Sequence, residues 1–128
     1  MTIPAAVLAA VLFVGMAAFQ ASLALGVPLG AHVLGGRYPG ELPRRQRAFS
    51  AVAAAILAGC AFVILARAGA IGWPARVSGL LAPASWAIAA FLVLNTLGNL
   101  ASRSRLERTV FAATTAVLAV LSAYVALS

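Results

Sequence analysis

The side chains best suited to bind a ligand in this chain are carboxamides that lie inside long apolar runs. Asn95 and Asn99 are one helical turn apart and share a helix face with Ser102, while Gln20 occurs in a separate apolar run. Hydrocarbon cannot hydrogen-bond an amide, so each of these groups needs a partner. Two interpretations stay open: hydrogen bonds between helices that fix their register, or the lining of a polar pocket.

The segment 27–47, VPLGAHVLGGRYPGELPRRQR, favours the pocket. Its prolines and glycines prevent a regular helix, and Pro28 and the pair Gly35 and Gly36 allow the backbone to fold back against the bundle. An irregular segment at membrane depth is tolerated where protein or a wet cavity covers it. His32, either hydrogen-bonded or able to handle protons, and Arg37 would lie above the amides. The pocket candidates are therefore Gln20, His32, Arg37, Asn95, Asn99 and Ser102.

Carboxylates are scarce, since Glu41 and Glu107 are the only two in the chain. Glu107 can pair with Arg103, with Arg108 or with arginines of the segment 27–47, and a structural ion pair is favoured over proton transfer. The cluster of Arg44, Arg45 and Arg47 is interpreted as a positive-inside anchor or as a site for phosphate or anionic lipid. The candidates for ion pairing or anionic-lipid binding are Arg44, Arg45, Arg47, Arg103, Glu107 and Arg108.

Other chemistry is poorly supported by the sequence. It contains no glycine-rich phosphate loop, no nucleophile elbow and no metal-ligand spacing of histidines and cysteines, and its one cysteine, Cys60, lies within an apolar run. We therefore predict no metal and no cofactor, and an enzyme is disfavoured. The net charge of +7 comes from nine arginines, but these stand between apolar runs instead of forming the basic stripe of a nucleic-acid-binding protein, so no nucleic-acid partner is expected.

The elements that must position these residues are apolar helices. Hydrophobic residues make up 64% of the chain and charged residues 9%, and the mean hydropathy is +1.07. Four uncharged runs, each close to the roughly 20 residues that cross a bilayer as a helix, cover residues 3–25, 48–66, 82–101 and 109–127. The sequence predicts an all-α fold: one integral membrane domain over residues 1–128, built as a bundle of four transmembrane helices.

Arginine counts predict the orientation of this bundle. Seven of the nine arginines lie between the first two runs or between the last two, and only Arg67 and Arg76 lie in the middle connection. The positive-inside rule then places the basic loops in the cytoplasm and both termini outside, in a multi-pass protein of the cell membrane whose first partner is the lipid bilayer.

A longer set of residues resembles a known group of proteins. The set comprises Phe19-Gln20, residues 23–26, Pro28, Gly30, Gly35-Gly36, Leu42-Pro43, Arg47, Asn95, Asn99, Ser102, Ser104 and Glu107-Arg108. It resembles a family of small bacterial four-helix integral membrane proteins. The resemblance implies fold and location without an activity, and it suggests that the glycines of segment 27–47 and the segment 95–108 belong to one functional unit.

Three functions remain open at this level. The first is a transport-type protein, working as a homo-oligomer, with a polar pocket that faces the cytoplasm. The second is an accessory or structural subunit that packs against another membrane protein through small residues. The third, disfavoured by the missing catalytic groups, is an enzyme that modifies a lipid headgroup.

Overall fold

The computed structural model describes residues 1–128 as four helices without a β-strand. Each of the four, together with the short turn before it where one is present, is long and apolar enough to cross a membrane. The prediction of an all-α bundle of four transmembrane helices is confirmed at this level. The helices are α1 (Thr2–Ala24), α2 (Arg44–Arg67), α3 (Leu81–Leu100) and α4 (Ala112–Leu127).

Two helix boundaries differ from the apolar runs for local reasons. Helix α2 begins at Arg44 and not at residue 48, because arginine is a good helix former. It starts directly after Pro43, whose extended ψ of 155° ends the preceding loop. Helix α4 is preceded by a turn of π-helix, Glu107–Phe111. Such turns are rare in helices and are frequent at functional sites.

Packing organises the bundle as two hairpins, α1–α2 and α3–α4. Helices α1 and α4 join the hairpins on one side, whereas α2 and α3 pack more loosely on the other. The main core is wholly apolar and includes the fully buried Phe13, Ile64, Leu92 and Leu118. Large apolar side chains such as Val120 remain exposed on the outer surface, as lipid-facing residues do.

Loop one, residues 25–43, folds back over one end of the bundle. Two short 3₁₀ turns, Gly30–His32 and Leu34–Gly36, shape it, and Leu23, Val33 and Leu42 form a second, small buried cluster beneath it. We call this the arginine-rich end, because loop one, the first turn of α2 and the α3–α4 connection there carry seven arginines. The chain termini and the α2–α3 connection lie at the opposite end.

Candidate functional site

A cavity of about 640 Å³ lies beneath loop one at the arginine-rich end. Four of the predicted pocket residues, Gln20, Arg37, Asn95 and Asn99, line it together. A second cleft of about 900 Å³ shares Arg37 and both asparagines with this cavity and adds Ser102. The sequence-predicted pocket residues therefore converge in space, with one exception. The further lining residues of the cavity are Met16, Phe19, Leu23, Val33, Leu34, Tyr38, Leu42, Gln46, Phe49, Ser50, Ala53, Glu107 and Phe111.

His32 is the exception. It is exposed and lines neither the cavity nor the cleft, although the sequence placed it above the amides. Its contribution is made by the backbone, because the His32 carbonyl accepts a 2.6 Å hydrogen bond from Ser104 Oγ. The 3₁₀ turn that contains His32 directs its carbonyl toward the α3–α4 connection.

The three carboxamides do not bond to one another across helices. Asn95 Nδ2 donates to the Phe91 carbonyl of its own helix at 3.0 Å, and the amides of Gln20 and Asn99 have no hydrogen-bond partner in the protein. Both amides face the cavity. They are therefore free to donate to and accept from a ligand or water.

The polar contact that joins helices here is instead between two threonines. Thr96 Oγ1 lies 2.8 Å from Thr115 Oγ1, and Thr115 also donates to the Phe111 carbonyl of its own helix. Neither threonine is among the residues predicted for the site. A threonine whose hydroxyl donates to the preceding turn still has an oxygen that can accept from a neighbouring helix. The two threonines lie at equal depth on antiparallel helices, and that is the sequence signal by which the pair could have been predicted.

Glu107 forms none of the predicted ion pairs, whether with Arg103, with Arg108 or with an arginine of the segment 27–47. Its carboxylate accepts the backbone N–H groups of Leu34 at 3.1 Å and Gly35 at 2.9 Å, together with Ser102 Oγ at 2.5 Å. Leu34 and Gly35 both have positive φ angles, 50° and 69°. Successive N–H groups in such a turn can converge on one anion, and here the anion is an internal side chain.

The arginines near Glu107 have other roles. Arg108 Nη1 donates to the carbonyls of Ser102 and Arg103 just after α3, where a cation complements the helix dipole. Arg103 is exposed and lines the cleft. The predicted pairing is therefore corrected: Glu107 fastens loop one, and Arg108 stabilises the end of α3.

Ser104 completes the attachment of loop one and was missing from the candidates predicted for the pocket. It is buried, its Oγ bonds to the His32 carbonyl, and the Glu107 N–H points to the same oxygen at 3.4 Å. The spacing Ser104-x-x-Glu107 is that of a capping box at a helix start. That motif is the sequence signal by which Ser104 could have been found.

The arginine cluster at the start of α2 divides into one paired residue and two exposed ones. Arg47 forms the one salt bridge of the structure, with Glu41 at 2.9 Å, and its Nε donates to the Ala24 carbonyl at the end of α1. Arg44 and Arg45 are exposed, and the Arg45 guanidinium lies 5.8 Å from the centre of the Phe49 ring. Arg44 and Arg45 thus leave unpaired positive charge at the arginine-rich end.

The site therefore combines an apolar wall, free carboxamides and surplus arginine charge. No three His, Cys, Asp or Glu side chains lie together as a metal site would need. No family model, curated protein or solved structure matches the chain. The arrangement is suited to binding a ligand that has polar and apolar parts.

Proposed function

We propose that this chain is a transport-type protein of the cell membrane, related to small bacterial four-helix membrane proteins, that admits a ligand into the cavity beneath loop one. The arginine-rich end is assigned to the cytoplasm by the positive-inside rule. One observation carries the proposal: Gln20 and Asn99 present amides without a protein hydrogen-bond partner to a cavity of about 640 Å³, where a ligand can bond to them.

The shape of the bundle supports binding from one side. Below the cavity, Phe13, Leu92 and Leu118 are at most 1% exposed and belong to an apolar core. A ligand that enters from the arginine-rich end therefore reaches a closed floor. Passage to the other side requires the α1–α2 and α3–α4 hairpins to move apart, in the manner of alternating access, and the contacts between the hairpins are less extensive than those within them.

Cysteine labelling tests whether the cavity is open to water at one end. In a Cys60→Ser background, we expect Asn99→Cys to react with a membrane-impermeant maleimide added at the arginine-rich face. Ser122→Cys, in the fully buried core, is the matched control and should stay unreactive from both faces. Equal reactivity of the two positions would contradict a one-ended pocket.

Reconstituted vesicles test transport itself. Probes of distinct charge, namely potassium ion, inorganic phosphate and glycerol 3-phosphate, are offered to the purified protein, and Asn99→Leu should abolish whichever flux the unmodified protein shows. Thr114→Val is the control, because Thr114 bonds to its own helix and lines neither the cavity nor the cleft. Absence of flux for every probe, together with an unreactive Asn99→Cys, would refute the proposal.

A second candidate, the accessory subunit, is favoured by a separate observation on α2. Ala51, Ala55 and Gly59, spaced one turn apart, are exposed on the outside of the bundle, and rows of small residues allow close helix association in membranes. Stoichiometric co-purification of another membrane protein, lost in Ala55→Leu and accompanied by no flux from the isolated chain, would favour this role over transport.

A further inference from the structure

Exposed apolar side chains from α2 and α3 line the cavity and the cleft beside it. Phe49 lines the cavity from α2 and is 60% exposed, while Phe91 and Leu94 line the adjoining cleft from α3 and are 45% and 68% exposed. These residues lie within apolar spans, so their exposed surfaces face hydrocarbon once the bundle is in a bilayer. Helices α2 and α3 also contact each other somewhat less extensively than α1 and α4 do. A lateral mouth between these side chains of α2 and α3 would open the cavity to lipid as well as beneath loop one.

On α2 and α3, the lining side chain nearest the membrane centre is apolar and polar side chains lie nearer the arginine-rich end. On α2, Ala53 and Phe49 lie deeper than Gln46, which is closest to the arginine-rich end; on α3, Phe91 lies deeper than Asn99. Helix α1 places Gln20 between the apolar Met16 and Leu23, so the gradient is a property of α2 and α3. A ligand that fits this gradient has a hydrocarbon part toward the membrane centre and a polar part toward its surface.

The polar part of such a ligand meets positive charge. Arg37 lines both the cavity and the cleft, and Arg103 lies on the cleft. The single carboxylate at the site, Glu107, already accepts two backbone N–H groups and the Ser102 hydroxyl. Arginine binds phosphate through paired N–H donors, so charge complementarity favours an anionic, phosphate-type head.

From the mouth, the gradient and the charge, we propose that the ligand is an anionic phospholipid from the adjacent leaflet. Its phosphate would lie beside Arg37 and Asn99, and one acyl chain would leave the cavity between Phe49 and Phe91. The inference rests on the proposed function, because it names the ligand class of that same cavity.

Fluorescence quenching in vesicles tests where the lipid binds. Phe49→Trp supplies a reporter at the mouth once Trp73 and Trp86, both at the opposite end, are replaced by phenylalanine. Phosphatidylglycerol with brominated acyl chains should quench this reporter at a several-fold lower mole fraction than brominated phosphatidylcholine. Arg37→Gln should abolish most of that preference, because one lost charge-assisted contact, worth roughly 1.4 kcal/mol or about tenfold in affinity, is as large as the preference itself. Arg105→Gln, which removes an equal charge at the same end from a residue outside both the cavity and the cleft, should leave the preference unchanged.

A second arm separates a lipid from a soluble anion with the same chemistry. Ala53→Phe fills the deep, apolar part of the cavity and should weaken quenching by brominated phosphatidylglycerol. Protection of Asn99→Cys from maleimide by inorganic phosphate or glycerol 3-phosphate measures the head alone. Protection by these soluble anions that is as strong as protection by the lipid, and is unchanged by Ala53→Phe, would assign the site to a soluble anion and overturn the lipid proposal.

The outcomes also separate this inference from the proposed function. Equal quenching by the two brominated lipids in the otherwise unmodified reporter protein would refute an anionic lipid ligand, whatever the labelling shows. If Asn99→Cys still reacts from the arginine-rich face and flux persists, the transport-type pocket stands and only the ligand class is wrong. If Arg105→Gln lowers the lipid preference as much as Arg37→Gln does, the preference arises from general surface charge. That result would likewise contradict the assigned headgroup site.

Discussion

At the scale of single residues, loop one depends on a glycine that no other residue can replace. Gly30 N–H donates to the Gly40 carbonyl at 2.8 Å, and a Cβ on Gly30 would lie 1.8 Å from the Tyr38 carbonyl oxygen. We expect Gly30→Ala to destabilise the protein by about 3 kcal/mol, the upper end of the usual cost of overpacking, because rigid backbone must move. Unfolding in mixed detergent, followed by circular dichroism, measures the effect.

Gly15→Ala is the matched control for Gly30→Ala. Gly15 is inside α1, and a Cβ there has no other atom within 4 Å. The same substitution should be neutral or stabilise the helix by about 0.5–1 kcal/mol, because alanine is the better helix former. If both variants lose equal stability, close packing of loop one at Gly30 is not the cause.

The residues of the candidate site were predictable from the sequence where the argument concerned position along a helix. Asn95 and Asn99 are on one face because they are one turn apart. Gln20 lines the same cavity because its helix ends at the same end of the bundle. The hydrogen-bond partners of these side chains were not predictable in the same way. The bonds of Glu107 depend on positive φ angles at Leu34 and Gly35, and for a leucine no sequence pattern indicates that conformation.

At the scale of elements, one carboxylate connects loop one to the start of the last span. Glu107→Gln retains the size of the side chain but replaces one acceptor oxygen with a donor amide, which would oppose the N–H of Leu34 or Gly35. An unsatisfied N–H costs about 1–3 kcal/mol. We expect hydrogen exchange in residues 30–40 to accelerate about tenfold or more, with the exchange of α1 unchanged, because the loop opens locally.

Glu41→Gln is the comparison for this element. It removes the salt bridge to Arg47, whose partners are 35% and 58% exposed on their side chains, and exposed ion pairs contribute at most about 1 kcal/mol. Exchange in residues 30–40 should therefore change little. A faster exchange in Glu41→Gln than in Glu107→Gln would show that the salt bridge, and not the Glu107 carboxylate, holds loop one in place.

Helices were the most predictable elements, for a physical reason. A bilayer requires a span of nearly fixed length with its backbone bonded internally, so uncharged runs translate directly into helices. Ends governed by local bonding were less predictable. Helix α2 continues outward to Arg44, and the π turn at Glu107–Phe111 has no signature in hydropathy.

At the scale of the whole molecule, the structure brings the two basic connections to one end, but the side of the membrane on which they lie remains a prediction. Loop one and the α3–α4 connection touch through Ser104 Oγ and the His32 carbonyl at 2.6 Å. They must therefore occupy the same side of any membrane that the bundle crosses. The excess of arginine at this end predicts that this side is the cytoplasm.

Cysteine labelling in cells decides the orientation. In the Cys60→Ser background, a membrane-impermeant maleimide should leave Arg45→Cys and Arg105→Cys unmodified in intact cells and should modify both in inverted membrane vesicles. Trp73→Cys, in the α2–α3 connection at the opposite end, should show the reverse pattern. Modification of both cysteines at the arginine-rich end in intact cells would show that the protein has the opposite orientation. The anionic lipid would then have to come from the outer leaflet. Modification of Arg45→Cys and Arg105→Cys from different sides of the membrane would be incompatible with the contact between the two connections. The residues that line the cavity could then not lie together as one site.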